Sequence, residues 1–195
     1  MLEDAINSFE ELKKYVFIVN RGDNNKSLFI LFNNENFYHL LGLHKTNLDM
    51  FFPDYIKTMG RKYEYMKKKK KQFSGIIENQ VKDKDTLLLR IKTFSNIIDL
   101  LKSNQNISLF NLKIVPKNSS YKGDYGLLKI YENIYCLLGL KGTTEMDRVI
   151  VCAPQSWMAN TRAIQLTEFK RPLYLERITA ISRELYDEET NTICI

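Results

Sequence analysis

The chain has 195 residues, 44% of them hydrophobic and 27% charged, and a formal net charge of +6. That balance suits one globular domain able to bury a core without staples, and it excludes a disordered or collagen-like chain. No apolar run approaches the roughly 20 residues of a membrane span, and the acidic start "MLEDAINSFEELKKY" lacks the basic opening and apolar centre of a secretory signal, so a cytosolic protein with no membrane contact is expected.

In chain order, Leu2, Ile6, Phe9 and Leu12 recur at helical spacing and predict a short amphipathic helix. "YVFIV" (15–19) and "SLFILF" (27–32), separated by the turn signal "RGDNN", read as a β-hairpin. "NENFYHLLGL" reads as a short helix with Asn34 as N-cap and Gly42 as its stop. "TNLDMFFPDYIKTMG" predicts another helix, capped by Thr46 or Asn47 and entered or kinked near Pro53. The basic stretch 61–81 carries no strong breaker except Gly75 and reads as a helix. "KDTLLLRIKTFSNIIDLLKS" (84–103) predicts the clearest helix, with Leu87, Ile91, Phe94, Ile98 and Leu101 on one stripe. Beyond residue 105 the pattern turns to short β-type runs: "ISLFNLKIV", "LLKIY", "IYCLLGL", "RVIVCA", "AIQLTEF" and "LYLERITAI". Helices first and strands later predict an α+β fold, a helix-rich N-terminal half packed on a C-terminal antiparallel β-sheet.

The charge is uneven. Residues 59–95 hold eleven Lys or Arg against four Asp or Glu, a net +7, so the rest of the chain is close to −1. At the centre lies "KKKKK", Lys67, Lys68, Lys69, Lys70 and Lys71. Clustered cations suit a polyanion, because phosphates release counterions on binding; a solvated helix face is the bland alternative. Three scattered cysteines, Cys136, Cys152 and Cys194, form no framework and point to reduced, buried thiols.

Several chemistries lose ground. The two histidines, His39 and His44, stand about 140° apart on an ideal helix, not on one face as in zinc proteases. Neither a metal-ligand cluster nor a cofactor signature is present: GxxxxGK[ST], GxGxxG and GxSxG are all missing. Acid–base work on an anion without metal or cofactor remains, and RNA transesterification suits that inventory. His39 is a base or acid, or a packed helix residue. Tyr38 stacks on a base or joins the core, and Trp157 has the same two readings with packing favoured. Lys92, one residue off the apolar stripe, reaches a phosphate or snorkels; Arg90 offers the better-shaped fork. Ser156, after the run 149–153 and Pro154, is placed just past a strand end, where sites gather or plain turns form. Arg162 is a further phosphate candidate. His44, beyond Gly42, is expected to be exposed and ordinary.

"SLFILFNNENFYHLLGL", a strand followed by a helix with F-x-H-L-x-G-L, resembles the phage-associated branch of the barnase–EndoU–colicin–RelE nucleases, specifically its fourth branch, PBECR4. The likeness continues in "LLLRIKTFSNIIDLL" and in "IYCLLGLKG…RVIVCAPQSWM", where a late strand leads to P-x-S, and it spans most of residues 27–180. It implies a compact BECR-like nuclease core within a single domain 1–195 (core 27–182, basic segment 59–95). It implies a predicted ribonuclease of phage or mobile-element settings, acting in the bacterial cytoplasm. His39 matches the histidine of F-x-H-L-x-G-L, Lys92 the helix lysine and Ser156 the serine of P-x-S, which casts those three as catalytic. His44 matches nothing. The length of "KKKKK" departs from the family pattern; it grips RNA backbone or an acidic antitoxin. The expectation is a toxin-like, metal-independent endoribonuclease. A non-catalytic phage factor that docks on RNA or a host protein through the basic segment is the alternative.

Overall fold

The computed structural model describes residues 1–22, 25–81, 84–103, 105–114, 123–160, 172–190 and 192–193. Helix α1 (Leu2–Leu12) buries Leu2, Ala5, Ile6, Phe9 and Leu12, the face its spacing dictates. Strands β1 (Tyr15–Asn20) and β2 (Ser27–Leu31) pair antiparallel with Val16 opposite Leu31, as the turn signal between them predicts. Helix α2 (Asn34–Leu41) follows, capped by Asn33 rather than Asn34: the Asn33 N–H donates to Asn36 Oδ1 at 2.6 Å. Gly42 ends α2 in the left-handed region at φ 74°.

Three expected helices come out differently. After Thr46, whose hydroxyl caps the N–H of Leu48, only a 3-10 turn (Asn47–Phe51) forms. Phe52, the residue before Pro53, is extended at φ −95° and ψ 145°, which the proline ring favours and a helix does not allow. The basic stretch is two helices, α3 (Met59–Lys68) and α4 (Lys70–Gln80), broken at Lys69. The long stripe of 84–103 is also two helices, α5 (Lys84–Lys92) and α6 (Asn96–Lys102). At the break, the Thr93 hydroxyl donates to Leu89 O at 2.8 Å and accepts from Trp157 Nε1 at 3.1 Å, while Tyr131 donates to Asn96 O at 2.8 Å. These tertiary bonds outweigh a periodicity that would have carried one helix through.

The remaining strands are β3 (Ile107–Asn111), β4 (Tyr125–Tyr131), β5 (Ile134–Glu145), β6 (Val149–Asn160) and β7 (Arg177–Ser182). Among the described residues they join the first hairpin in one sheet of order β3-β4-β5-β6-β2-β1-β7. The fold is α+β, with helices concentrated before strands. The sheet is mixed rather than purely antiparallel: β2 runs parallel to β6, with Ser27–Ile30 facing Val149–Cys152. A parallel pair needs a long crossover, and everything from α2 to β5 supplies it. The run 163–169, expected as a strand, lies outside the described residues.

The helices cover one face of the sheet around an aromatic hub. Phe9 meets the rings of Phe37 and Tyr63, each at 5.1 Å and edge-on, and Phe32 and Phe94 complete the group. Trp157 is fully buried there, as packing rather than as a free stacking surface. On the opposite face, a small ribbon of β8 (Tyr186–Asp187) and β9 (Thr192–Ile193) brings Tyr186 against Val16, Ile18, Phe29 and Leu31. Burial on both faces explains why β1 and β2 read as continuous apolar runs.

Candidate active site

The site arises where β6 outruns β2. Strand β2 stops at Leu31, but β6 continues to Asn160, and α2 packs against the length that β2 leaves uncovered. A cleft of about 400 Å³ opens there. Helix α2 contributes Glu35, Asn36 and His39, α3 contributes Met59 from its first position, β5 contributes Lys141, and β6 contributes Ala153, Pro154 and Gln155. Glu35 and His39 are one turn apart, so they share a face while Phe37, Tyr38, Leu40 and Leu41 are buried. Along β6, Leu140 pairs with Pro154 and Gly139 with Ser156, which leaves Gln155 as a bulge residue. Such a bulge re-aims a side chain, and here it turns Gln155 to the cleft.

Lys141 is fixed from behind. Its Nζ lies 3.0 Å from Asp124 Oδ1, and Asp124 Oδ2 accepts the Gly142 N–H at 2.9 Å. Burial pushes the Asp124 carboxyl up, but Lys141 and the Gly142 N–H outweigh it and hold the group below the usual carboxylate range. The Lys141 side chain remains 54% exposed, so its ammonium keeps donors free for an anion.

His44 is exposed, as expected, yet it is not independent of His39. The two imidazole rings lie 4.9 Å apart at 57°. The helical-wheel separation does not apply, because α2 ends at Gly42 and a 3-10 turn, Leu43–Lys45, folds His44 back. Desolvation, then the charges of His39, Lys45 and Arg90, hold His44 below the ordinary imidazole value, with the Tyr38 carbonyl pulling the other way.

A cleft that offers imidazole, carboxylate and ammonium suits acid–base chemistry on a phosphate. The family described as phage-Barnase-EndoU-ColicinE5/D-RelE like nuclease 4, PBECR4, matches residues 2–195. The chain belongs to the PBECR4 nuclease family. No curated protein and no solved structure matches it. The PBECR4 match reaches beyond residues 27–180 at both ends, taking in α1 and β1.

Of the three residues that the PBECR4 resemblance casts as catalytic, only His39 lines the cleft. Lys92 is exposed at the last position of α5, and its side chain has no hydrogen bond or ion pair with the described residues. Ser156 does not follow a strand end; it stands inside β6 opposite Gly139, because the bulge lets the strand continue past Pro154. Its Oγ is buried and unpartnered. Tyr38 is completely buried, its hydroxyl hydrogen-bonded to Asp49 and its ring 5.4 Å from Lys62 Nζ, so it presents no face to a base. Arg90 packs over Gly42, with Nη1 donating to Leu41 O at 3.4 Å. Arg162 lies outside the described residues.

The lysine run divides. Lys67 pairs with Glu10 at 2.9 Å, Lys70 pairs with Glu3, and Lys69 sits 5.6 Å from the Tyr65 ring centre. Lys68 and Lys71 are exposed and form no ion pair. The acidic face of α1 thus absorbs part of the charge that reads in sequence as a free patch. Cys136 and Cys152 are buried and unpaired, and burial pushes their thiols up to about 11 and about 12. Among the described residues no three His, Cys, Asp or Glu side chains gather as ligands for an ion.

Sequence reasoning missed Glu35, Lys141 and Gln155. The i,i+4 pair Glu35–His39 was available from spacing alone. Lys141 and Gln155 reach the cleft through the pairing of β5 with β6 and its bulge, which no local pattern announces.

Proposed function

We propose that this PBECR4 nuclease is a metal-independent endoribonuclease that cleaves RNA by 2′-hydroxyl transesterification in the α2/β5/β6 cleft. The observation that carries the reading is that His39 and Lys141, from opposite walls, line one cleft, with the His44 ring against His39. His39 removes the 2′-hydroxyl proton, and the 2′-oxygen attacks phosphorus. Lys141 offsets the charge gathering on the non-bridging oxygens. The P–O5′ bond breaks, and the leaving oxygen takes a proton from solvent or from the imidazolium just formed, giving a 2′,3′-cyclic phosphate and a 5′-hydroxyl. His44 borders the imidazolium as it forms, its ring 4.9 Å from that of His39. Lys141 takes the phosphate role that the resemblance gives to Lys92, because it shares the cleft with His39. The family's phage association supports a toxin-like role in the bacterial cytoplasm, restrained by an inhibitor that covers the cleft or the basic helices.

The test is incubation with total RNA in EDTA, followed by end-group analysis. Wild-type protein gives cyclic ends; His39→Ala loses about 10²–10⁴-fold and Lys141→Ala about 10²–10³-fold. Undiminished cleavage by His39→Ala overturns the mechanism. Absence of cleavage with salt-sensitive RNA binding favours a non-catalytic RNA-docking factor, which the exposed, unpaired Lys68 and Lys71 would serve.

A further inference from the structure

A second cavity of about 400 Å³ lies past the C-terminal end of α2. Gly42, Lys45, Thr46 and Asn47 form one wall, and Thr86 and Arg90 of α5 form the other. Among the described residues its lining holds two cations and no carboxylate. Lys45 is exposed and has no ion pair among the described residues.

Arg90 is the unusual group. A guanidinium has five donors. Among the described residues only Nη1 is engaged, at 3.4 Å from Leu41 O, and the buried Nε has no partner. Burial holds its pKa below the usual arginine value, with no acid opposing the shift. Several other basic side chains that are partly buried do have carboxylate partners: Glu10 serves Lys13 and Lys67, Asp49 serves Lys62, and Asp99 serves Lys129. Among the described residues Arg90 and Lys45 have none. A desolvated, unpaired cation is costly unless an anion completes it.

A plain helix cap is an insufficient account. The single bond to Leu41 O is long, and an exposed lysine would meet the carbonyl with less desolvation. Gly42 also bears on the arrangement, since a Cβ at this position would overlap the guanidinium. The carbonyl end of α2 repels an anion with about half a charge, which Arg90 and Lys45 together exceed. The planar fork of arginine matches a phosphate. The Thr46 hydroxyl is committed to Leu43 O at 2.7 Å, so Arg90 and Lys45 are the binding donors.

We propose that this pocket binds a phosphate of the RNA strand other than the scissile one, with Arg90 and Lys45 as its ligands. His44 stands between the two cavities, its ring against His39 and its charge environment shaped by Lys45 and Arg90. A strand with its reacting phosphate beside His39 would pass over His44 to reach the pocket. The identity of the strand rests on the ribonuclease reading; the phosphate chemistry of the pocket does not.

The test uses full-length His39→Ala protein with a short oligoribonucleotide, adding Lys45→Ala, Arg90→Gln or Arg90→Lys. Loss of one charged phosphate contact is expected to weaken binding about tenfold and to lower the salt slope by about 1. In the active background the same substitutions raise KM and leave kcat within a factor of about two, as loss of uniform binding requires. Inorganic phosphate is expected to shift the Gly42 and Lys45 amide resonances of the wild type. Lys45→Ala removes an exposed side chain and carries the test if the Arg90 variants do not fold. Unmoved amides together with unchanged oligonucleotide affinity overturn the pocket. A mononucleotide that binds as tightly as the oligonucleotide overturns RNA as the source of the phosphate. If no RNA is cleaved but phosphate still moves those amides, the ribonuclease reading fails and the pocket stands.

Discussion

Glu10 ties the acidic first helix to the lysine run, and its protonation offers a quantitative check on the packing. The carboxylate receives Lys13 Nζ at 2.8 Å, Lys67 Nζ at 2.9 Å and the Tyr63 hydroxyl at 2.5 Å. Burial pushes it up, but these three donors more than offset that and bring it from 4.5 to about 2. At 1.36 kcal/mol per unit, the difference corresponds to about 3.4 kcal/mol before screening. The side chain is 33% exposed, which reduces the expected contribution to about 1–2 kcal/mol. Because the folded-state value is depressed, the contribution is complete above the unfolded-state value and is lost as pH falls from about 5 towards 2. Urea unfolding of wild type and Glu10→Gln should differ by about 1–2 kcal/mol at pH 7 and by less than half of that at pH 3. Lys67→Met should reproduce part of the pH 7 loss, whereas Lys71→Met, which removes an exposed and unpaired lysine, should not. An equal gap at both pH values would refute the reasoning, since the effect would then come from packing rather than from the carboxylate charge.

Gly42→Ala should cost about 1–3 kcal/mol in denaturant unfolding, because φ is 74° and the new methyl meets Arg90; an unchanged midpoint would contradict that geometry. Trp157→Phe should cost about 2–3 kcal/mol, since it shrinks a fully buried ring and removes the donor to Thr93 Oγ1. The native fluorescence of this single tryptophan should resist iodide quenching, and ready quenching would place the ring elsewhere. In a Cys194→Ser background, Cys136 and Cys152 should react with a thiol reagent at pH 8 only after denaturant is added, because both are buried with raised thiol values.

Much of the architecture was legible because it is local. The α1 stripe, the first hairpin, the Gly42 stop and the shift from helix to strand near residue 105 follow from periodicity and turn chemistry. The breaks at Lys69 and at Thr93–Ser95 were not legible. The stripe of 84–103 is continuous, and the helix is interrupted by bonds to Trp157 and Tyr131, two residues far along the chain. The site shows the same division. His39 stood out through its motif, and Glu35 was one turn away. Lys141 enters only when β5 pairs with β6, and the role of Pro154 reversed once the bulge at Gln155 let the strand run on. The lysine run looked unopposed because the carboxylates that answer it lie far back in sequence, on α1.

The parallel seam between β2 and β6 has a consequence for the order in which the molecule is made. The edge of β2 that will receive β6 has no partner until residues 149–152 have been synthesised. The imidazole wall of the cleft is complete by residue 44, but its ammonium wall waits for residue 141 and its bulge for residue 155. Pairing at such separation is slow to form. A cleft built this way cannot assemble until residue 155 has been synthesised, so the α2 wall exists on the nascent chain long before its β5 and β6 partners.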